Sequence, residues 1–211
     1  MSDSGPEERS ARLTIRGTAT RDRIVSVATE LMYVQGVAGT SLDDVMRASG
    51  TGKSQIYHYF SDKNALIEEV VAEQVARVLR LQKSLLRHAD SMHGLEQWRD
   101  AIVRLNVARQ GAYGCPLGSL VSELSEHSEC ARSTLASGYA TWDSYLADCF
   151  QRMQVRGELA AEVDVGGLAV SVLAALQGGL LLAQVTGDPS RLQTALDMAL
   201  SHVRKNCVEL G

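Results

Sequence analysis

An all-α fold is predicted for this chain from three observations. Apolar residues recur at helical spacing in one segment after another, with capping residues at the boundaries. Only 3 Pro interrupt a sequence rich in Ala, Leu, Val and Glu, which favours helix. No stretch alternates apolar and polar residues as a half-buried strand does, and no hairpin signal competes.

The elements follow in order. Residues 1–17 are polar and dotted with Arg, and read as a flexible arm. From Thr20, the positions Ile24, Val27, Ala28 and Leu31 form a helical stripe; Thr20 caps its start and Gly36 ends it. Ser41 and Asp44 resemble a capping box opening a short helix with Leu42, Val45 and Met46 inward. Gly50 permits a tight turn into a third helix, about 52–60. Ser61-Asp62 caps a long fourth helix with Leu66, Ile67, Val70, Val71, Val75 and Val78 on one side. Further helices are expected around Leu95–Val107, from Gly114-Cys115-Pro116 to Glu123, over 129–156 and over 165–186. The last opens at Asp188-Pro189. The divisions are an arm at 1–17, a helix-turn-helix domain at 18–64 and a regulatory domain at 65–211.

Composition narrows the function. The chain of 211 residues is 45% apolar and 22% charged, ordinary for a globular protein. The longest apolar stretch, Leu168–Val185, is broken by Ser171, Gln177, Gly178, Gly179 and Gln184. No membrane span is therefore expected. The first residues lack the apolar core of a secretory leader, so a cytoplasmic location is the expectation. The net charge is −4, yet Arg9–Lys63 carries eight basic and five acidic residues against 13 and 17 after Lys63. A mildly basic front on an acidic body suits a phosphate-facing module.

The stretch Ser49-Gly50-Thr51-Gly52-Lys53-Ser54 ends like a phosphate-binding loop. Such a loop needs another glycine five positions before Gly52, and a strand leading into it. Arg47 stands there, in a predicted helix. The helix-turn-helix reading accounts for the same residues: Ile56 and Phe60 share the packed face, while Lys53, Ser54, Tyr57 and His58 point outward. Lys53 suits a phosphate or guanine, and Gln55 suits adenine.

Residues Thr20 to about Leu66 resemble the DNA-binding domain of the tetracycline-repressor family. The match rests on Gly36, Thr40, Ser41, Val45, Ala48, Gly50, Lys53, Ile56, Tyr57, Phe60, Lys63 and Ala65-Leu66, above all on Tyr57-His58-Tyr59-Phe60-x-x-Lys63-x-x-Leu66. The resemblance implies a homodimer on a near-palindromic double-stranded operator. It implies phosphate contacts from Thr40, Ser41 and Lys63, and a groove lined by Lys53, Ser54, Gln55, Tyr57, His58 and Tyr59. Arg16 and Arg21 would add arm contacts. Asp43 stands where the family is commonly basic, and Thr51 and Gly52 also depart from its pattern. The segment Gly114-Cys115-Pro116-Leu117-Gly118 and the run Gln177–Ala183 resemble the branch related to repressors of multidrug-resistance operons.

The regulatory half is less constrained. The resemblance implies a cavity for a small, largely apolar effector. Trp98, Tyr113, Trp142, Tyr145, Met153 and Gln177 are the candidate lining residues. The last two helices are the expected dimer face, through Gly178, Gly179, Leu182, Leu192, Leu196, Leu200 and Val203. Cys115, Cys130, Cys149 and Cys207 show no paired spacing, so they read as reduced thiols; an oxidant-sensing thiol on the same scaffold is the alternative. His127 between Glu126 and Glu129 reads as exposed polar residues at a helix start, and no metal or cofactor is expected. No nucleophile–base constellation supports an enzyme.

Overall fold

Capping side chains and apolar stripes divide the chain into nine α-helices among the described residues, 15–208 of a computed structural model. They are α1 (Ile15–Gln35), α2 (Leu42–Ser49), α3 (Lys53–Tyr59), α4 (Lys63–Leu85), α5 (Met92–Ala108), α6 (Pro116–Leu124), α7 (Glu129–Val155), α8 (Val165–Thr186) and α9 (Ser190–Lys205). The Ser41–Asp44 capping box forms: Asp44 N–H donates to Ser41 Oγ at 3.1 Å, and Ser41 N–H to Asp44 Oδ2 at 3.0 Å. The side chains of Asp62, Ser91, Ser128 and Asp164 cap α4, α5, α7 and α8, each accepting an N–H that the helix leaves open. Gly50 ends α2 at φ 65°, a left-handed position that glycine adopts without a Cβ clash.

α1 to α3 close around Ile24, Ala28, Val45, Ile56 and Phe60, all at most 3% exposed. The long α4 packs against both α1 and α7, so it joins this small unit to the rest. α8 lies between α7 and α9, and α9 also meets α5. Trp98, Leu146, Phe150 and Met153 fill the centre of the larger part. Among the described residues no strand forms; an isolated antiparallel bridge joins Leu159 and Cys207.

Three expectations need correction. α1 begins at Ile15, not at Thr20. The Thr20 hydroxyl donates to the Arg16 carbonyl at 3.0 Å inside the helix and caps nothing. Most of the expected arm, residues 1–14, lies outside the described residues, while 15–17 are already helical.

The second concerns α9. Leu192, Leu196, Leu200 and Val203 are at most 2% exposed within the single chain. Their stripe faces α8 and α5 and leaves no surface for a second copy. Gly179 is buried too: a Cβ there would lie 3.0 Å from the Leu192 Cα, so this glycine sets the α8–α9 approach. The apolar side chains that do reach the surface are Val170, Leu181, Leu182 and Val185 of α8 and Met198 of α9, at 50–75% exposure. Gly178 stands on the exposed side of α8.

The third is the membrane. By length and composition, α8 is long and apolar enough to cross one, although its polar and glycine positions interrupt the apolar run. It packs Leu168, Ala169, Val172, Leu173, Leu176, Gly179 and Ala183 into the core of this chain.

Candidate functional site

The helix-turn-helix presents a polar, aromatic surface. Lys53, Ser54, Gln55, Tyr57 and His58 are exposed on α3, while Ile56 and the following Phe60 anchor it inward. The Gln55 side chain also closes the turn, since its Oε1 accepts the Gly52 N–H at 3.1 Å. Tyr59 is half-buried, with His58 edge-on to its ring at 4.9 Å. Between α2 and α3, the hydroxyls of Ser49 and Thr51 meet at 2.6 Å, and both residues are buried. This internal bond explains why a polar residue serves in the turn. Gly50 and Gly52 shape that turn rather than a phosphate cradle.

The other expected DNA-contacting positions differ in their freedom. Ser41 is exposed at the α2 N-terminus, and Arg16 is exposed on α1. Thr40 is 0% exposed, and its hydroxyl donates to the Gly36 carbonyl at 2.8 Å. It therefore braces the α1–α2 turn and cannot reach a phosphate. Arg21 is also held within the chain: it pairs with Glu69 and lies 5.8 Å from the centre of the Phe60 ring. Lys63 donates to the Val37 carbonyl at 2.7 Å, which leaves its other N–H bonds for a ligand.

Glu123 of α6 also supports the α1–α2 turn. Its Oε2 accepts the Val37 N–H at 2.7 Å and the Ala38 N–H at 3.3 Å. A carboxylate at the end of a short apolar helix carries no sequence signal for this distant pairing.

Two cavities flank α6. The first, of about 330 Å³, opens between α1, α4, α5, α7 and α8. Its polar lining includes Tyr33, Gln74, Arg77, Asn106 and Arg109 beside apolar Val78, Ile102 and Leu176. Trp142 also lines it. Arg77 donates to Glu73 at 2.7 Å and to Ser26 at 2.8 Å, which ties α4 to α1. Arg109 donates to the Tyr33 hydroxyl at 3.2 Å and stands over its ring. Tyr33 in turn donates to the Gly114 carbonyl at 3.2 Å. Burial, ahead of the opposing Arg109 charge, pushes the Tyr33 hydroxyl pKa up, so it stays protonated.

The second cavity, of about 1040 Å³, is bounded by α6, α7 and α8 and includes Gln177, Tyr139 and Cys115. Tyr139 donates to the Gln177 Oε1 at 3.4 Å. Cys115 lines both cavities. Of the remaining candidates, Trp98 is core, its Nε1 donating to Gln82 Oε1 at 3.0 Å, and Met153 is wholly buried. Tyr145 borders a groove between α4 and α7 instead. Tyr113 is 43% exposed and packs beside Tyr33, with ring centres 5.6 Å apart. The loop carrying it is unusual: Gln110, Gly111, Tyr113 and Gly114 all have positive φ. Such a backbone is held by its surroundings rather than chosen locally.

Comparison with known proteins covers both halves. Residues 24–70 match the family model described as bacterial regulatory proteins, tetR family, and residues 95–199 match the tetracyclin repressor-like C-terminal domain. A helix-turn-helix-type transcriptional regulator encoded in the lacX 3′ region of Lactococcus lactis is 29% identical over 88% of this chain and 94% of its own length. The helix-turn-helix-type transcriptional repressor ComR of Escherichia coli is 26% identical over 75% of this chain and 76% of its own. Among solved structures, a regulator from Cytophaga hutchinsonii covers 94% of this chain and 100% of its own length, with a TM-score of 0.82 at 19% identity. That likeness speaks for the fold.

Proposed function

Because the chain belongs to the tetracycline-repressor family of helix-turn-helix transcriptional regulators, we propose that it is a cytoplasmic repressor that binds a near-palindromic operator as a homodimer and is released by a small molecule. It acts by binding rather than by catalysis. The observation that carries this reading is the exposed set Lys53, Ser54, Gln55, Tyr57 and His58 on a helix whose apolar side is fully packed. A short helix with that division offers its polar side to the major groove. Ser41, Lys63 and Arg16 supply phosphate contacts beside it.

The exposed apolar residues of α8 and α9 support the dimer. Leu181, Leu182, Val185 and Met198 are exposed apolar side chains costly to leave in water, and a second copy covers them by two-fold pairing. The exposed Gly178 lets the two α8 helices approach closely. Two reading heads then address two half-sites, whose spacing depends on how each α4 sits against α7 and α1.

Effector binding and operator binding oppose each other through that spacing, by equal coupling free energy. The cavities beside α6 are the candidate effector sites, with Trp142 and Gln177 as lining residues. A thiol switch has less support at Cys149 and Cys207, where burial raises the thiol pKa and disfavours the thiolate.

The reading is tested by fluorescence anisotropy with DNA from upstream of its own gene, comparing wild type, Lys53→Ala and Tyr57→Ala. Each variant is expected to lose about fivefold to 150-fold in affinity, equivalent to about 1–3 kcal/mol per lost contact. Wild-type affinity in both variants would exclude α3 as the reading element.

A further inference from the structure

Two residues that line the cavity against α1 carry a polar atom without a hydrogen-bond partner. Asn106 is 6% exposed and its Oδ1 accepts no hydrogen bond; Trp142 is 2% exposed and its Nε1 donates none. Buried polar atoms are rarely left so. At the mouth, charge is unbalanced as well. Glu30 and Glu73 both face Arg77, whereas the partner of Arg109 among the described residues is the neutral Tyr33. Between mouth and floor run the apolar side chains of Val78, Ile102 and Leu176.

We propose that this cavity binds an amphipathic organic acid whose carboxylate pairs with Arg109 and whose far end carries a hydroxyl or similar group. The proposal deepens the effector-released reading above and rests on it for its regulatory consequence. A guanidinium recognises a carboxylate through two parallel N–H donors, which a phenol cannot match. The apolar walls take the body of the ligand. At the floor, Trp142 requires an acceptor and Asn106 Oδ1 a donor, and a hydroxyl is both. A volume of about 330 Å³ suits a molecule of this class.

The location gives the ligand a direct hold on the reading head. Tyr33 belongs to α1, while Arg109 and Gly114 flank the loop between α5 and α6. A carboxylate that draws Arg109 to itself removes one of the two hydrogen bonds linking that loop to Tyr33. The ligand thereby loosens α1 without touching DNA.

The test is isothermal titration of the full chain with ω-hydroxyalkanoates of about six to twelve carbons, the matching plain alkanoates and the methyl esters of the hydroxy acids. At least one hydroxy acid is expected to bind about tenfold more tightly than its ester. Arg109→Gln, at an exposed position and checked for folding by circular dichroism, is expected to reduce acid binding to the level of the ester. Trp142→Phe is expected to remove the advantage of the hydroxy acid over the plain one. Absence of binding by every acid, equal binding of acid and ester, or undiminished acid binding by Arg109→Gln overturns the carboxylate site; equal binding of hydroxy and plain acids by wild type overturns the role of the floor. Promoter binding by the ligand-free protein is measured in parallel. Its absence refutes the repressor reading independently, and acids that bind without releasing DNA refute only the effector role.

Discussion

Glu123 accepts the backbone N–H of Val37 at 2.7 Å, although 86 residues separate them in the chain. The Val37 carbonyl meanwhile accepts from Lys63 at 2.7 Å. The α1–α2 turn is thus held from one side by α6 and from the other by α4. Gly36 makes the approach possible, since at φ +80° it carries no side chain, and a Cβ would lie 3.2 Å from the Glu123 Oε2.

Removing that carboxylate leaves Val37 N–H in a part-buried position without its partner. Glu123→Ala is expected to lower stability by about 1–3 kcal/mol, measured by urea denaturation. Glu123→Gln keeps an acceptor of the same shape and is expected to recover most of the loss. Equal stability of Glu123→Ala and wild type would mean that the contact contributes nothing in solution.

Thr40 separates a structural role from a DNA-contacting one. Its hydroxyl is buried on the Gly36 carbonyl, so Thr40→Val is expected to cost about 1–2 kcal/mol of stability. Operator affinity, measured well below the melting temperature, should change by less than about twofold. A large affinity loss with unchanged stability would assign the hydroxyl to a phosphate after all.

The two apolar sets of α8 and α9 behave oppositely. Leu196→Ala empties a fully buried site and is expected to destabilise the fold by about 2–5 kcal/mol. Leu181→Glu combined with Val185→Glu changes only exposed positions; sedimentation velocity is expected to show monomers that retain wild-type helicity. Dimers that persist in this double variant would move the pairing surface elsewhere.

Asp44 links α2 to pH. The Ser41 hydroxyl and then the Ser41 backbone N–H hold its carboxyl below the usual carboxylate range. A folded-state pKa below the unfolded one stabilises the fold above about pH 4, the unfolded value, and this contribution fades as pH falls through the folded value. Asp44→Asn is expected to remove that part of the acid-limb dependence of the melting temperature, leaving the neutral-to-alkaline region parallel to wild type. An unchanged acid limb would contradict the linkage.

Local chemistry made much of the chain legible. Gly50, the Ser41–Asp44 box and the Val165–Thr186 helix stand where propensity and capping put them, because each depends on residues within a few positions of one another. The family resemblance was legible for the same reason, since Tyr57 to Leu66 is a continuous segment. Thr20 misled because a threonine hydroxyl bonds as readily to the carbonyl one turn back as to a helix N-terminus. Met153 and Trp98 misled because a large apolar side chain looks the same in sequence whether it lines a cavity or fills a core.

The sequence by itself determined an all-helical chain with a helix-turn-helix near its front and a polar, aromatic third helix. Periodicity and caps are short-range properties, and the secondary structure obeys them. Tertiary structure decided which stripe of α9 is consumed inside the chain and which surface of α8 is left over. It also turned Thr40 inward, committed Arg21 to Glu69, and brought Tyr33, Arg109, Asn106 and Trp142 around one cavity. Those outcomes depend on how helices distant in sequence pack, and burial and charge pairing are settled only when the opposing surfaces meet.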